Sequence, residues 1–206
     1  MCGRFAIRNP EPVKRQFQIE TLEPQHNICP GTKILTVTDH AQFINWGFTP
    51  YWAKKPFNLI NARGESLWKK PSFRNSSRCL IPADGWYEWK LEEGKKIPYF
   101  HCLGESNFCF AGIYGGYRGE MGCAIVTLEA SINLQSIHSR MPAILDKTAY
   151  DQWIKGDEDD VYDLSISEKI EFHQVSTIVN NPTNCLLYTS DAADEGLGVD
   201  LGGRRI

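Results

Sequence analysis

Four apolar, aromatic and β-branched runs follow one another between residues 78 and 128: "RCLIPADGWYEWK", "IPYFHCL", "FCFAGIYGGY" and "GCAIVTL". The chain between them is short and rich in glycine and charge, notably "EEGK" and "RGEMG". So little connecting chain permits hairpins rather than parallel crossovers, and these runs therefore constrain the fold to antiparallel β-structure. Upstream, "RFAIR" alternates as a short strand, and "TKILTVTD" and "AQFINWGF" read as two more strands turning at Asp39–His40. "FNLINARGE" reads as extended as far as Gly64. "PEPVKRQFQI" puts Pro at a helix start with Val13 and Phe17 four residues apart, and "KTAYDQWIKG" reads as a helix closed by Gly156. "ESLWKKPSFRNS" suits one or two helical turns broken by Pro71, and "SINLQSI" a short helix. "MPAIL" reads as a strand and "VSTIVNNPTN" as a strand and turn. Strands outnumber helices without regular alternation, which predicts an α+β fold with a curved, mainly antiparallel β-sheet or open barrel.

The 206 residues, 42% hydrophobic and 23% charged, suit one globular domain with a full core, and neither a repeat nor a linker divides them. The domain is expected over 1–184. Residues 185–206 lack amphipathic period and end in glycine and charge, so they are expected to be a poorly ordered or non-native tail; they also resemble translated adapter read-through. No apolar run reaches the length of a membrane span, and no basic region precedes an apolar stretch at the N-terminus. A cytoplasmic protein is expected, nucleoid-associated in a bacterium. The seven cysteines, at 2, 29, 79, 102, 109, 123 and 185, are odd in number, irregularly spaced and without a C-x-x-C pair, which argues against a disulfide framework or zinc module. His26 and Cys29 have a ligand-like spacing but no second paired motif, so no metal and no cofactor are expected.

Net charge is −3, unevenly distributed: residues 1–100 hold 15 Lys/Arg against 9 Asp/Glu, and residues 101–206 hold 7 against 16. Positive charge is densest from Lys54 to Arg78, opposed there only by Glu65, and is interleaved with or flanked by Trp46, Phe48, Tyr51, Trp52, Phe57, Trp68 and Phe73. Cations alternating with rings have the composition of a single-strand nucleic-acid groove, and equally of a solvated basic surface over an aromatic core.

Three stretches share one form: "CGR" at 2–4, "NAR" at 61–63 and "HSR" at 138–140. In extended backbone, residues i and i+2 share a face, which sets Cys2 beside Arg4, Asn61 beside Arg63 and His138 beside Arg140. After loss of Met1, Cys2 would carry a thiol and a free α-amine on adjacent carbons, a 1,2-aminothiol that no internal cysteine offers. In "GWYEW", a strand puts Glu88 on one face with Trp86, and a carboxylate desolvated among rings has a raised pKa suited to proton transfer. Taken singly, each has an ordinary alternative: an incidental terminal cysteine, a turn-forming asparagine, an exposed strand glutamate, a hydrogen-bonded loop histidine.

Together, "MCGRF", "NARGE", "CLIPADGWYEW", "HSRMP" and a late "VNNP" resemble, in order and spacing over residues 1–183, the SOS response-associated peptidase (SRAP) family, which includes abasic-site DNA–protein crosslinkers. The resemblance implies Cys2 as nucleophile, with Asn61, Glu88 and His138 as active-site partners. It implies Arg63 and Arg140 as phosphate contacts helped by Arg4, Trp46 and Trp52 as an aromatic wall beside the lesion, and Thr127 as a further DNA contact. The expected partner is single-stranded or junction DNA containing abasic sites, bound by a monomer. The Cys2 amine would attack the ring-opened deoxyribose aldehyde, and the thiol would close a thiazolidine, a more durable linkage than the Schiff base, which could permit strand cleavage. Glu88 would move protons, His138 would act on the sugar oxygen, and Asn61 would orient the amine. Two alternatives stay open: an N-terminal-cysteine (auto)peptidase, and a non-catalytic single-stranded DNA-binding module.

Overall fold

A computed structural model describes residues 2–156 and 161–181. Along the chain run β1 (Phe5–Ile7), α1 (Glu11–Phe17), β2 (Gln25–Ile28), β3 (Lys33–Val37), β4 (Ala41–Trp46), β5 (Asn61–Arg63), β6 (Ser77–Ala83), β7 (Gly85–Glu92), β8 (Lys95–Cys102), β9 (Phe108–Tyr117), β10 (Glu120–Glu129), β11 (Arg140–Pro142), β12 (Ile144–Leu145), α2 (Tyr150–Lys155), α3 (Val161–Leu164) and β13 (Glu171–Gln174). One sheet has the order β13-β8-β7-β1-β2. The other runs β11-β10-β4-β3-β6-β9-β12, and a further β9–β10 pairing closes β10, β4, β3, β6 and β9 into a ring. Pairing is antiparallel except where β10 runs parallel to β4 and to β5. This is the expected α+β architecture, with the barrel closed rather than open.

The run "RCLIPADGWYEWK" is two strands in two different sheets, broken at Asp84. Asp84 is 2% exposed, a costly place for a carboxylate unless its lone pairs are filled. They are: it accepts the backbone N–H groups of Arg8 and of Asn9 (2.9 Å) and the Arg8 Nε–H (3.1 Å). The next residue must be glycine, because a Cβ on Gly85 would lie 2.0 Å from Phe100 Cζ. The break thereby fastens β1 to the start of β7, with Phe5 opposite Trp86.

Alternation along β7 then divides its side chains. Trp86 enters the main core beside Phe5, Trp46, Phe108 and Phe110, while Tyr87 packs in a smaller cluster with Ala6, Phe100, Cys102 and Val179. The Phe5 ring meets Trp46 at 5.2 Å and Phe110 at 5.7 Å, both edge-on, and burying such a ring contributes about 2 kcal/mol. Helix α2 forms as expected, ending at Gly156 in the left-handed conformation (φ +69°).

Two expectations are corrected. "SINLQSI" forms separate turns, because seven residues must reverse the chain between β10 and β11 and their amides bond to Ser131 and Leu134 carbonyls within single turns. "VSTIVNN" forms a 3-10 helix over Thr177–Asn180 rather than a strand: Ser176 caps it by accepting the Ile178 N–H, and the Val179 carbonyl accepts from Arg4 and Asn27. The short strands β2 and β13 were not expected at all. The tail call for 185–206, Cys185 and the proline of "VNNP" lie outside the described residues. Among the described residues no helix is long and apolar enough to cross a membrane, and no group of three or more His, Cys, Asp or Glu could hold a metal ion.

Candidate active site

Strand β10 organises one wall of the site. Near its C-terminal end it pairs with β5, setting Asn61 opposite Ile125 and Arg63 opposite Thr127, and with β11, setting Arg140 opposite Glu129. In β5 the middle residue, Ala62, is buried, so Asn61 and Arg63 share the outward face as their spacing requires. Arg63 is exposed.

The N-terminal segment forms the facing side. The Arg4 carbonyl accepts the Tyr87 N–H at 2.9 Å, continuing the β1–β7 register toward the chain start. That register sets Gly3 opposite Glu88 and brings Cys2 against it. The Asn61 side chain bridges the two sides, its Nδ2 donating to the Cys2 carbonyl at 2.9 Å. Cys2, Asn61 and Glu88 thus meet in one corner although 59 and 27 residues separate them in turn.

This corner is dry. Cys2 is 0% exposed and Glu88 4%. Burial pushes the Glu88 carboxyl up to about 7, within the range of a proton shuttle at neutral pH. Burial, with the Glu88 charge adding to it, also pushes the Cys2 thiol far above its ordinary value, so the sulfur stays protonated.

Glu88 and His138 line one cleft of about 770 Å³ together with Arg4, Trp89, Lys96 and Asn180. His138 precedes β11, and its Nδ1 accepts the Arg140 backbone N–H at 2.9 Å. Burial, together with the Arg140 charge, holds its imidazole below the ordinary value. Arg4 reaches the cleft while anchored behind it: its Nη1 donates to Asn27 Oδ1 and to the Val179 carbonyl, both at 2.8 Å, and its guanidinium lies 5.7 Å from the Trp89 ring centroid.

Three expected DNA contacts have other placements. Trp46 is 0% exposed and donates its indole N–H to the Ile60 carbonyl at 2.9 Å, so no ring face is open to a base; the barrel interior claims it. Thr127 is likewise 0% exposed. Its carbonyl and hydroxyl accept from Arg140 Nη2 at 2.7 and 3.2 Å, so it holds the arginine and has no surface to offer a phosphate. Arg140 is also engaged at both Nη atoms by Glu65, at 2.6 and 3.0 Å, with its side chain 11% exposed. Trp52 keeps the expected character: it is 46% exposed and packs edge-on against Phe57 beside exposed Tyr51, Lys54 and Lys55.

Sequence reasoning passed over Glu65, Trp89, Lys96, Asn180 and Asn27. The first sits inside the quoted "NARGE", Trp89 inside "GWYEW" and Asn180 inside "VNNP", so those motifs carried the signal. Lys96 and Asn27 have no local signature.

Residues 1–182 match the family model described as SOS response associated peptidase (SRAP). The chain is 35% identical to the abasic site processing protein YoqW of Bacillus subtilis, over 89% of this chain and 96% of that protein. It is 31% identical to the abasic site processing protein YedK of Escherichia coli, again over 89% and 96%. Among solved structures, a protein from Bacteroides thetaiotaomicron shares the fold with a TM-score of 0.77 at 23% identity, covering 89% of this chain and 97% of that one. A phage-related protein from Bordetella bronchiseptica matches with a TM-score of 0.68 at 28% identity, covering 84% and 94%. The chain belongs to the SRAP family.

Proposed function

We propose that the protein processes abasic sites in DNA by capturing them covalently, and that after removal of Met1 the Cys2 amine and thiol form a thiazolidine with the ring-opened sugar. The observation that carries this reading is the enclosed corner in which Asn61 holds the Cys2 carbonyl and Glu88 lies against the thiol with its pKa near neutrality. The relatives named as abasic site processing proteins supply the substrate class.

The amine attacks the aldehyde carbon, and the carbinolamine loses water to give a Schiff base. The thiol then adds to the imine carbon, its proton passing to nitrogen by way of Glu88, and the five-membered ring closes intramolecularly. Asn61 Oδ1, buried and without a hydrogen-bond partner among the described residues, is the acceptor for an N–H of the freed amine. A buried thiol that stays protonated suits addition to an imine, and it opposes the peptidase reading, which needs a thiolate.

Single-stranded DNA suits the exposed surface. Tyr51, Trp52 and Phe57 are 67%, 46% and 42% exposed and adjoin Lys54 and Lys55, so neighbouring bases can stack while cations track phosphates. Arg63 is the phosphate contact nearest Asn61. The protein acts as a monomer in the cytoplasm, at the nucleoid of a bacterial cell.

The test is incubation with single-stranded DNA carrying one abasic site, read on a denaturing gel. A covalent band absent on intact DNA and lost in Cys2→Ala is expected. Absence of that band with the wild-type protein, Met1 shown by mass to be removed, overturns the reading and leaves simple DNA binding.

A further inference from the structure

The motif "HSR" places two residues in contact through the backbone, and that contact determines where the imidazole carries its proton. A peptide N–H is always a donor. The Arg140 N–H meets His138 Nδ1 at 2.9 Å, so Nδ1 must be an acceptor and bear no proton. The 3.2 Å approach of the same Nδ1 to the Arg140 carbonyl is then a contact between two acceptors and contributes no hydrogen bond. A neutral ring in this setting carries its proton on Nε2. An imidazolium would set two N–H groups head to head.

What keeps the Arg140 backbone there is the grip on its side chain. Glu65, on the short 3-10 turn Gly64–Ser66 that follows β5, takes both Nη atoms in a bidentate pair, and Thr127 on β10 takes Nη2 from the other direction. Three elements therefore clamp one residue whose peptide group orients the neighbouring histidine.

We propose that Glu65 and Arg140 are positioning residues that hold His138 as the neutral Nε2–H tautomer, so that His138 donates a hydrogen bond to the sugar and keeps its proton while Glu88 carries the proton traffic. This rests on the abasic-site reading for its substrate. A neutral imidazole that gave up Nε2–H would become an imidazolate, far too basic to form near neutral pH; held neutral, it acts as an electrophile. In ring opening, the Glu88 carboxylate takes the proton of the C1′ hydroxyl, the electron pair forms the carbonyl as the bond from C1′ to the ring oxygen breaks, and the departing oxygen accepts the Nε2–H hydrogen bond and a proton from solvent. Arg140 then contributes to catalysis through the histidine rather than through a phosphate.

Long-range ¹H–¹⁵N correlation spectra of the DNA-free protein read the tautomer directly. Unprotonated Nδ1 with protonated Nε2 for His138 between pH 6 and 8 is expected; an Nδ1–H tautomer or an imidazolium there overturns the proposal. In Glu65→Gln, tautomer mixing should appear together with a loss of about tenfold or more in crosslinking rate. Thr127→Val, which removes one acceptor without a charge, should give a smaller change in the same two readouts. A Glu65→Gln protein that folds, keeps the wild-type His138 spectrum and yet crosslinks slowly excludes the positioning role. A wild-type protein with the expected spectrum that forms no crosslink overturns the abasic-site reading while supporting the tautomer.

Discussion

The reaction corner and the 51–57 loop answer to opposite physics. In the corner, Cys2 and Glu88 are nearly sealed from solvent, and burial raises both pKa values. In the loop, Tyr51, Trp52 and Phe57 stand out into water beside lysines, where charge is screened and rings expend no desolvation until a base covers them. Chemistry therefore belongs to the dry region and affinity to the wet one, and changes in the two should separate cleanly.

The largest separation comes from one added residue. An uncleaved alanine inserted before Cys2 turns the amine into an amide, so the durable crosslink should vanish on a denaturing gel while anisotropy reports near-normal DNA affinity. Loss of both together would show that corner and surface are not independent.

Next in size is Trp46→Ala, which empties the barrel of a fully buried indole. About 3–5 kcal/mol of stability should be lost in urea titration, with no weakening of DNA affinity for the folded fraction. A selective loss of affinity would return Trp46 to the DNA surface.

Glu88 sharpens the dry side. Its folded pKa of about 7 exceeds the unfolded value of 4.5, so the folded state binds the proton more tightly. Stability is thus greatest below the unfolded value and falls as pH rises through 7, by up to about 3 kcal/mol in all. Glu88→Gln should remove this dependence, checked by denaturant midpoints at pH 5 and 8. A slope unchanged by the substitution would mean that the carboxyl is solvated.

The smallest effect belongs to the wet side. Trp52→Ala should weaken single-stranded DNA by about 1 kcal/mol, roughly fivefold, without slowing crosslinking at saturating DNA. A rate defect at saturation would move Trp52 into the reaction corner.

The same division explains what could be read from the amino acids. Long apolar runs such as those of β9 and β10 announce themselves, and Gly156 marks the end of α2, because period and capping are local properties. Strands β2 ("QHNI") and β13 ("EFHQ") are short and polar, and only their pairing partners make them strands. The catalytic set was legible because its residue types are unusual together; its surroundings were less so. Nothing local tells that Trp46 points into the barrel and Trp52 out of it, six residues apart, or that the Arg140 guanidinium is held by Glu65. Those facts arise where distant strands meet.

Strand β10 has neighbours on both sides along its length, with β4 and β9 flanking one half and β5 and β11 the other. Its amides should be among the last to exchange with heavy water, because releasing them requires both sheet halves to open. The 3-10 turn carrying Asn180 hangs on a few contacts to Arg4, Asn27 and Trp89. The cleft therefore has one wall that persists until the whole molecule unfolds and another that can lift away alone, and long DNA gains a side entrance without disturbance to the residues around Cys2.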